Sequence, residues 1–400
     1  MEVTSKTRIL FLYPFGYWPA NPNCVSLVQR CESDGFSFDL FCPSAPNCRG
    51  EGKEISEWVW LVRRIFLSAF KQSFRRPWKL GAIWKSVINF YFLKRRIRNR
   101  NYSLVITCDA VGLSLLSQMR LPITVPIVYL SFHILFRNEI KTKNERALGQ
   151  REDKLLRAIS LVLSQDNNRR QLISKELGFC EDQIHCIAVA PENRLFPIFS
   201  NNTKRPNEKM ILYTGNLEKW NLEGVLEQVS LSIPNGFFLR IHTHFPPPRT
   251  LRKKLERLEK QNRLQFSFAF LDEPGLVELI DQSYICLAPY FPQTSSWMVN
   301  QTLFHIGKAS TKIAYYCFRK KPVITTPLPS LVNALSKHAF GIACEDWKDI
   351  SSAILKIDGN YSHFSENAYQ YFEAELNPSE ALNCFWRNTT SLILPPKVKP

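Results

Sequence analysis

Residues 198–217 read Ile-Phe-Ser-Asn-Asn-Thr-Lys-Arg-Pro-Asn-Glu-Lys-Met-Ile-Leu-Tyr-Thr-Gly-Asn-Leu. The first part is largely polar, with Asn and Pro and no apolar period, which is linker chemistry. At Met210 an apolar, strand-like run begins, and it is not the first of its kind. On the N-terminal side such runs stand at Ile9–Tyr13, Phe38–Phe41, Leu104–Thr107, Ile127–Leu130, Leu161–Ser164 and Ile187–Ala190. On the C-terminal side they recur at Met210–Tyr213, Phe237–Ile241, Leu264–Phe268, Tyr284–Ala288, Val323–Thr326 and Phe340–Ala343. Helical patterns lie between them, among them Glu152–Ser160, Asn168–Leu177, Arg249–Gln261 and Asp349–Lys356. Strands alternating with helices predict a parallel sheet covered on both faces, and the restart at Met210 predicts two of them. The expected divisions are a first domain over 1–198, a linker over 199–209, a second domain over 210–360, and a tail over 361–400 packing back on the first domain. Ligands of open α/β sheets bind beyond the carboxyl ends of the strands, so the site is expected between the domains.

Charge points to an anionic partner. The 400 residues carry 52 Lys and Arg against 35 Asp and Glu, a net charge of +17. Twelve of the basic residues fall in 58–100, which contains no acid and ten aromatics. Arg63, Arg64, Arg75, Arg76, Lys94, Arg95 and Arg96 are the candidates to face an anionic membrane surface, with Trp and Phe on the apolar side of a basic helical insert. A solvated cationic face over buried aromatics, or a track for a nucleic-acid backbone, are the alternatives. No nucleic-acid module is legible, and no nucleic-acid partner is expected.

The eleven cysteines are odd in number, scattered, and without a CxxC pair. They read as reduced, core-filling thiols of a cytosolic protein. The first residues do not resemble a signal peptide, and no apolar run approaches a spanning helix, so any membrane contact is expected to be peripheral, on the inner face of the plasma membrane.

The dinucleotide fingerprint and the Walker phosphate loop are both absent, which excludes the corresponding nicotinamide and ATPase classes from the reading. No Asp-x-Asp pair is present to hold a divalent cation, and no metal or other cofactor is expected. The loop Pro14–Tyr17, with Gly16, follows the first strand. It is equally readable as a simple turn. His133 stands at the carboxyl end of the Ile127 run. Its alternative is a histidine packed among Phe132, Ile134 and Leu135. His242 and His244 end another strand but lack the partners of a zinc site. The densest group is Asn300-Gln-Thr-Leu-Phe-His-Ile-Gly-Lys-Ala-Ser-Thr-Lys-Ile-Ala-Tyr315. There a small-residue turn opens a helix, whose free N–H groups suit a diphosphate. The ammonium of Lys308 or Lys312 would add to them. Ser310 as a plain N-cap is the other reading.

This segment, with Lys321-Pro-Val-Ile324 after it and Tyr284–Pro289 before it, resembles the donor site of two-domain GT-B glycosyltransferases, particularly bacterial group 1 types of surface polysaccharide synthesis. Ile211–Leu217 and Ala188–Asn193 are further matches. The resemblance implies two Rossmann-like domains facing a central cleft. It also implies transfer of a sugar from a nucleotide donor, UDP- or GDP-linked, to a glycan or lipid-linked acceptor. Carried over, it places Gly16, Gly215, Asn216, Lys219, Ser310, Thr311, Lys312 and Tyr315 on the donor, and His133 near the reacting centre. Tyr17, Asn300 and Gln301 are acceptor-side or polar candidates. The family's two glutamates, with seven residues between them, fall on Gly307 and Tyr315 here. That departure keeps open a protein of this fold that binds a glycan or a partner without catalysis.

Overall fold

A computed structural model of the chain describes residues 7–14, 18–41, 101–119, 124–192 and 209–394. The chain divides into two compact units, 1–187 with 379–400 and 188–378. The division falls earlier than the expected boundary at 198. The expected linker, apart from Lys209, lies outside the described residues.

The first unit is built on six parallel strands: β1 (Arg8–Leu12), β2 (Ser37–Phe41), β3 (Leu104–Cys108), β4 (Ile127–Leu130), β5 (Ile159–Ser164) and β6 (Ile184–Cys186), in the order β2-β1-β3-β4-β5-β6. Central strands are buried on both faces, as the continuous apolar runs require; Leu10, Val105, Tyr129 and Val162 share one core with Ile173 and Leu177 of the helix Asn167–Leu177. Two local expectations are corrected. The helix expected at Glu152–Ser160 instead spans Lys143–Asp153, because Thr142 and Glu145 form a capping box that starts it earlier. The strand expected at Ile187–Ala190 lies three residues earlier; Ile187 N–H still bonds Ser164 O at 2.8 Å, but Val189 N–H turns away to Lys308 O at 2.9 Å in the second unit's own frame.

The tail is also split. The helix Tyr361–Tyr371 and the turn Phe372–Leu376 belong to the second unit, where Phe372 packs on Phe318 and Tyr371 stacks on Phe340. Only the helix Ser379–Ser391 joins the first unit. Its Leu382, Phe385 and Trp386 are buried, and burial of side chains of this size is worth roughly 1.5–3 kcal/mol each. Trp386 Nε1 donates to Asp34 Oδ2 at 2.7 Å, and Arg30 donates to Asn383 Oδ1 at 2.8 Å, so the seam is polar at its edge.

The second unit repeats the plan with β7 (Lys209–Thr214), β8 (Phe237–Thr243), β9 (Gln265–Phe268), β10 (Ile285–Ala288), β11 (Val323–Thr325) and β12 (Gly341–Ala343), in the order β12-β11-β10-β7-β8-β9. The short helix Thr311–Phe318 follows the segment singled out in the sequence, and its Ile313, Ala314, Tyr316, Cys317 and Phe318 are buried in the sheet's core. Tyr316 extends that anchoring to β7, its hydroxyl lying 3.0 Å from Thr214 Oγ1 and 3.2 Å from Thr214 N. No helix of the described residues is long and apolar enough to cross a membrane.

Candidate functional site

In the second unit the carboxyl end of β7 meets the start of the helix Thr311–Phe318. Gly215 leaves β7 with φ +116°, a backbone shape that side chains disfavour, and its N–H bonds His242 O on β8 at 3.0 Å. A Cβ placed on Gly215 would lie 2.9 Å from Lys312 Cε and 3.2 Å from Nζ. Glycine is therefore what lets the lysine lie across the strand end. Lys312 Nζ also faces the rings of Tyr213 and Tyr290, at 5.5 and 5.8 Å from their centroids. Among the described residues it forms no ion pair, and burial pushes its pKa down to about 8, with the charge of Glu218 acting weakly in the other direction. A half-buried ammonium held by aromatic faces and short of a counter-ion is prepared for an anion.

The other expected donor residues divide in two. Thr311 opens the helix, half-buried, beside Lys312. Ser310 is fully engaged in the fold: its Oγ accepts Ile313 N–H at 3.2 Å and lies 2.6 Å from Tyr290 Oη, so the capping role accounts for it. Lys308 is tied to Glu375 Oε2 at 2.7 Å, which leaves Lys312 as the lysine of the pair that faces Gly215. Asn216 and Lys219 are exposed on the turn after β7, which is braced by Tyr213 Oη and Asn221 Nδ2 donating to Asn216 O at 2.7 and 2.9 Å. Asn300 and Gln301 begin the one-turn helix Gln301–Phe304 ahead of this segment. Tyr315 is buried, and its hydroxyl donates to Glu273 Oε1, a carboxyl whose pKa burial raises.

In the first unit His133 follows β4, and its position is set by a residue that sequence reading passed over. Asp109, fully buried directly after β3, adopts φ +55°. Its Oδ1 accepts Phe132 N–H at 2.6 Å and His133 N–H at 2.9 Å, while Oδ2 accepts His133 Nδ1–H at 2.8 Å. Arg169 holds the same loop by donating to Phe132 O at 2.7 Å, and Gln165 by donating to Ser131 O at 2.9 Å. A left-handed non-glycine residue is strained by about 1–3 kcal/mol and persists only where its surroundings over-determine it. Here three hydrogen bonds to one carboxylate do so. The His133 side chain keeps about a third of its surface exposed, 34%, so an imidazole of fixed tautomer is presented at the carboxyl edge of the sheet. An acid placed immediately after a buried strand was the available signal for Asp109.

Gly16, Tyr17, Arg63, Arg64, Arg75, Arg76, Lys94, Arg95 and Arg96 lie outside the described residues. Among the described residues no three His, Cys, Asp or Glu side chains are grouped as a metal site would need.

No family model and no curated protein matches the sequence. Solved structures do. Sucrose-phosphate synthase from Thermosynechococcus elongatus matches with a TM-score of 0.63 at 14% identity, covering 96% of this chain and 99% of that one. HepE from Anabaena, in complex with UDP and glucose, matches at 0.61 and 11%, over 96% and 100%. UDP-GlcNAc 2-epimerase from Neisseria meningitidis, bound to UDP-GlcNAc, matches at 0.58 and 13%, over 96% and 100%. The chain has the GT-B glycosyltransferase-like fold, with two parallel six-stranded sheets flanked by helices. At such identities the likeness is one of fold.

Proposed function

We propose that this chain is a glycosyltransferase that takes a sugar from a nucleoside-diphosphate donor. The observation that carries the reading is the half-buried Lys312 ammonium, lying across Gly215 at the end of β7 and forming no ion pair among the described residues. The diphosphate of a UDP- or GDP-sugar supplies the missing charge, and the N–H groups at the start of the helix Thr311–Phe318 add hydrogen bonds to it. In the reaction the bond between the anomeric carbon and the diphosphate oxygen breaks. The acceptor hydroxyl oxygen bonds to that carbon and releases its proton. Negative charge develops on the leaving diphosphate, so Lys312 acts most strongly in the transition state and needs no metal ion in this scheme. His133, held by Asp109, is the candidate group on the first unit, and Asn216, Lys219 and Thr311 are the further donor-side candidates. HepE with UDP and glucose bound supports a nucleotide-sugar ligand for a chain of this fold.

The acceptor is read as a glycan or lipid-linked glycan of cell-surface polysaccharide synthesis. The acid-free, aromatic-rich sequence over 58–100 is read as the attachment to anionic lipid that would bring the enzyme to it. Flotation with anionic vesicles, compared with neutral ones at matched salt, tests that attachment. A panel of UDP-, GDP- and CMP-sugars, read by isothermal titration and then by product analysis, tests the main reading. Binding of none of them overturns it. A second reading, a binder of nucleotide sugars without transfer, is favoured by Tyr315, whose hydroxyl is committed to Glu273. It predicts binding without turnover.

A further inference from the structure

His242 lies near the end of β8 and His244 directly after it, yet their surroundings differ. His242 has both ring nitrogens engaged, Nδ1 with Ser267 Oγ at 2.9 Å and Nε2 with Ala269 O at 3.1 Å. His244 does not: its Nδ1 is buried and has no hydrogen-bond partner among the described residues. The ring is held sideways, edge-on to His242 at 6.2 Å between centroids and tilted against Phe270 at 5.9 Å, so packing keeps it in place without satisfying that nitrogen. The strand that leads into it touches the lysine site directly. Gly215 N–H bonds His242 O, and Lys312 lies across Gly215. Lys312 is near enough that its charge, with that of His242, adds to burial in disfavouring protonation of His244.

A buried ring nitrogen left unpaired is unfavourable, and so is a basic ring beside an ammonium that has no anion. One ligand relieves both conditions, an anion with several oxygens spread over a few ångströms. We propose that His244 is a second phosphate ligand beside Lys312, its ring turning out of this packing to set Nδ1 on a diphosphate oxygen of the donor, so that the two side chains together recognise the pyrophosphate. This rests on the nucleotide-sugar reading above. It adds a residue that resemblance did not mark and assigns a use to a histidine that makes a poor zinc ligand. It also implies that donor binding draws a proton onto His244, because a bound polyanion reverses the electrostatics that keep the ring neutral. The charged groups that bear on this are His242 near the end of β8, Lys312, and Glu218, which faces Lys312.

The test is titration calorimetry with UDP-glucose, UDP-N-acetylglucosamine and GDP-mannose at pH 6.0 and 7.5, a range over which their pyrophosphate diesters keep a constant charge. Lys312 stays mainly protonated across it. The wild-type chain should bind one of these donors severalfold more tightly at pH 6.0. His244→Ala should lose about tenfold at pH 6.0 and be nearly independent of pH. His244→Gln should recover part of the affinity but not the pH response, and it serves as the second variant if His244→Ala does not fold. Binding by the wild type with less than a twofold change in the folded variants overturns the role of His244 and leaves the donor site standing. If the wild type binds none of the three at either pH, the donor reading fails, and His244 with it.

Discussion

Asp109 and His133 are joined twice, through the ring nitrogen and through the backbone N–H, across 24 residues of sequence, and the N–H of Phe132 adds a third bond to the same carboxylate. Asp109→Asn keeps the shape of the side chain but substitutes an amide, which cannot accept all three bonds. The expected result is a transfer rate at least about tenfold lower, with nucleotide affinity unchanged because the lysine site is in the other unit. Asp109→Gly relieves the φ +55° strain yet abandons two buried N–H groups, so it should lower the melting temperature despite the easier backbone. Thermal melts and initial rates on the two variants check both halves.

Lys312 makes a statement about pH. Its folded pKa of about 8 lies below the ordinary value of 10.5, so the unfolded chain holds the extra proton between these limits. Stability of the ligand-free protein should therefore rise as pH increases from about 8 to about 10.5, and nucleotide affinity should fall over the same interval. Lys312→Met should flatten the stability profile and weaken UDP or GDP binding by about tenfold or more. Denaturant titrations at several pH values and calorimetry would show it.

Gly215 and Lys312 contest the same space. Gly215→Ala introduces a methyl 2.9 Å from Lys312 Cε at a residue with φ +116°. The expected loss is about 1 kcal/mol or more of stability, together with a nucleotide affinity as poor as that of Lys312→Met. A change in stability alone would separate the turn from the site.

Glu375 is paired with Lys308 and Lys337, at 2.7 and 2.5 Å, and these hydrogen bonds hold its pKa down to about 2. The folded value lies below the unfolded one near 4.5. The contribution is thus present above that pH and is lost as pH falls towards about 2. Glu375→Gln should cost about 1–2 kcal/mol at neutral pH and nothing at the acid end, as followed by urea denaturation.

Tyr315 is buried, and its hydroxyl faces Glu273. Tyr315→Glu should destabilise the second unit, increasingly above pH 5, since two half-buried carboxylates would then face each other. Tyr315→Phe leaves Glu273 without its donor and should cost about 1 kcal/mol. Melting curves at pH 5 and pH 8 distinguish the two effects.

The strands were readable because a parallel sheet covered on both faces needs continuous β-branched and aromatic runs, and eleven of the twelve lie within a residue or two of where such runs stand. The one that differs shows the limit of that signal. β6 has His185 at its centre, while most of the apolar run beside it, from Ala188 on, belongs to the next unit. The turn from β7 and the lysine in the first turn of the buried helix were legible from residue type and spacing. Asp109, Glu273 and His244 were not, because what defines each is a partner, or the want of one, that only folding supplies. Lys308 and Lys312 are equally basic in sequence. Glu375, 67 residues from Lys308, separates them.

The helix Ser379–Ser391 carries one consequence for how the molecule comes into being. The second unit is a single uninterrupted stretch, 188–378, whereas the first draws its closing helix from beyond it. On the ribosome the first unit therefore waits, with the surface that receives Phe385 and Trp386 uncovered, until the second has been made in full. The order in which the units are finished is the reverse of the order in which they are begun.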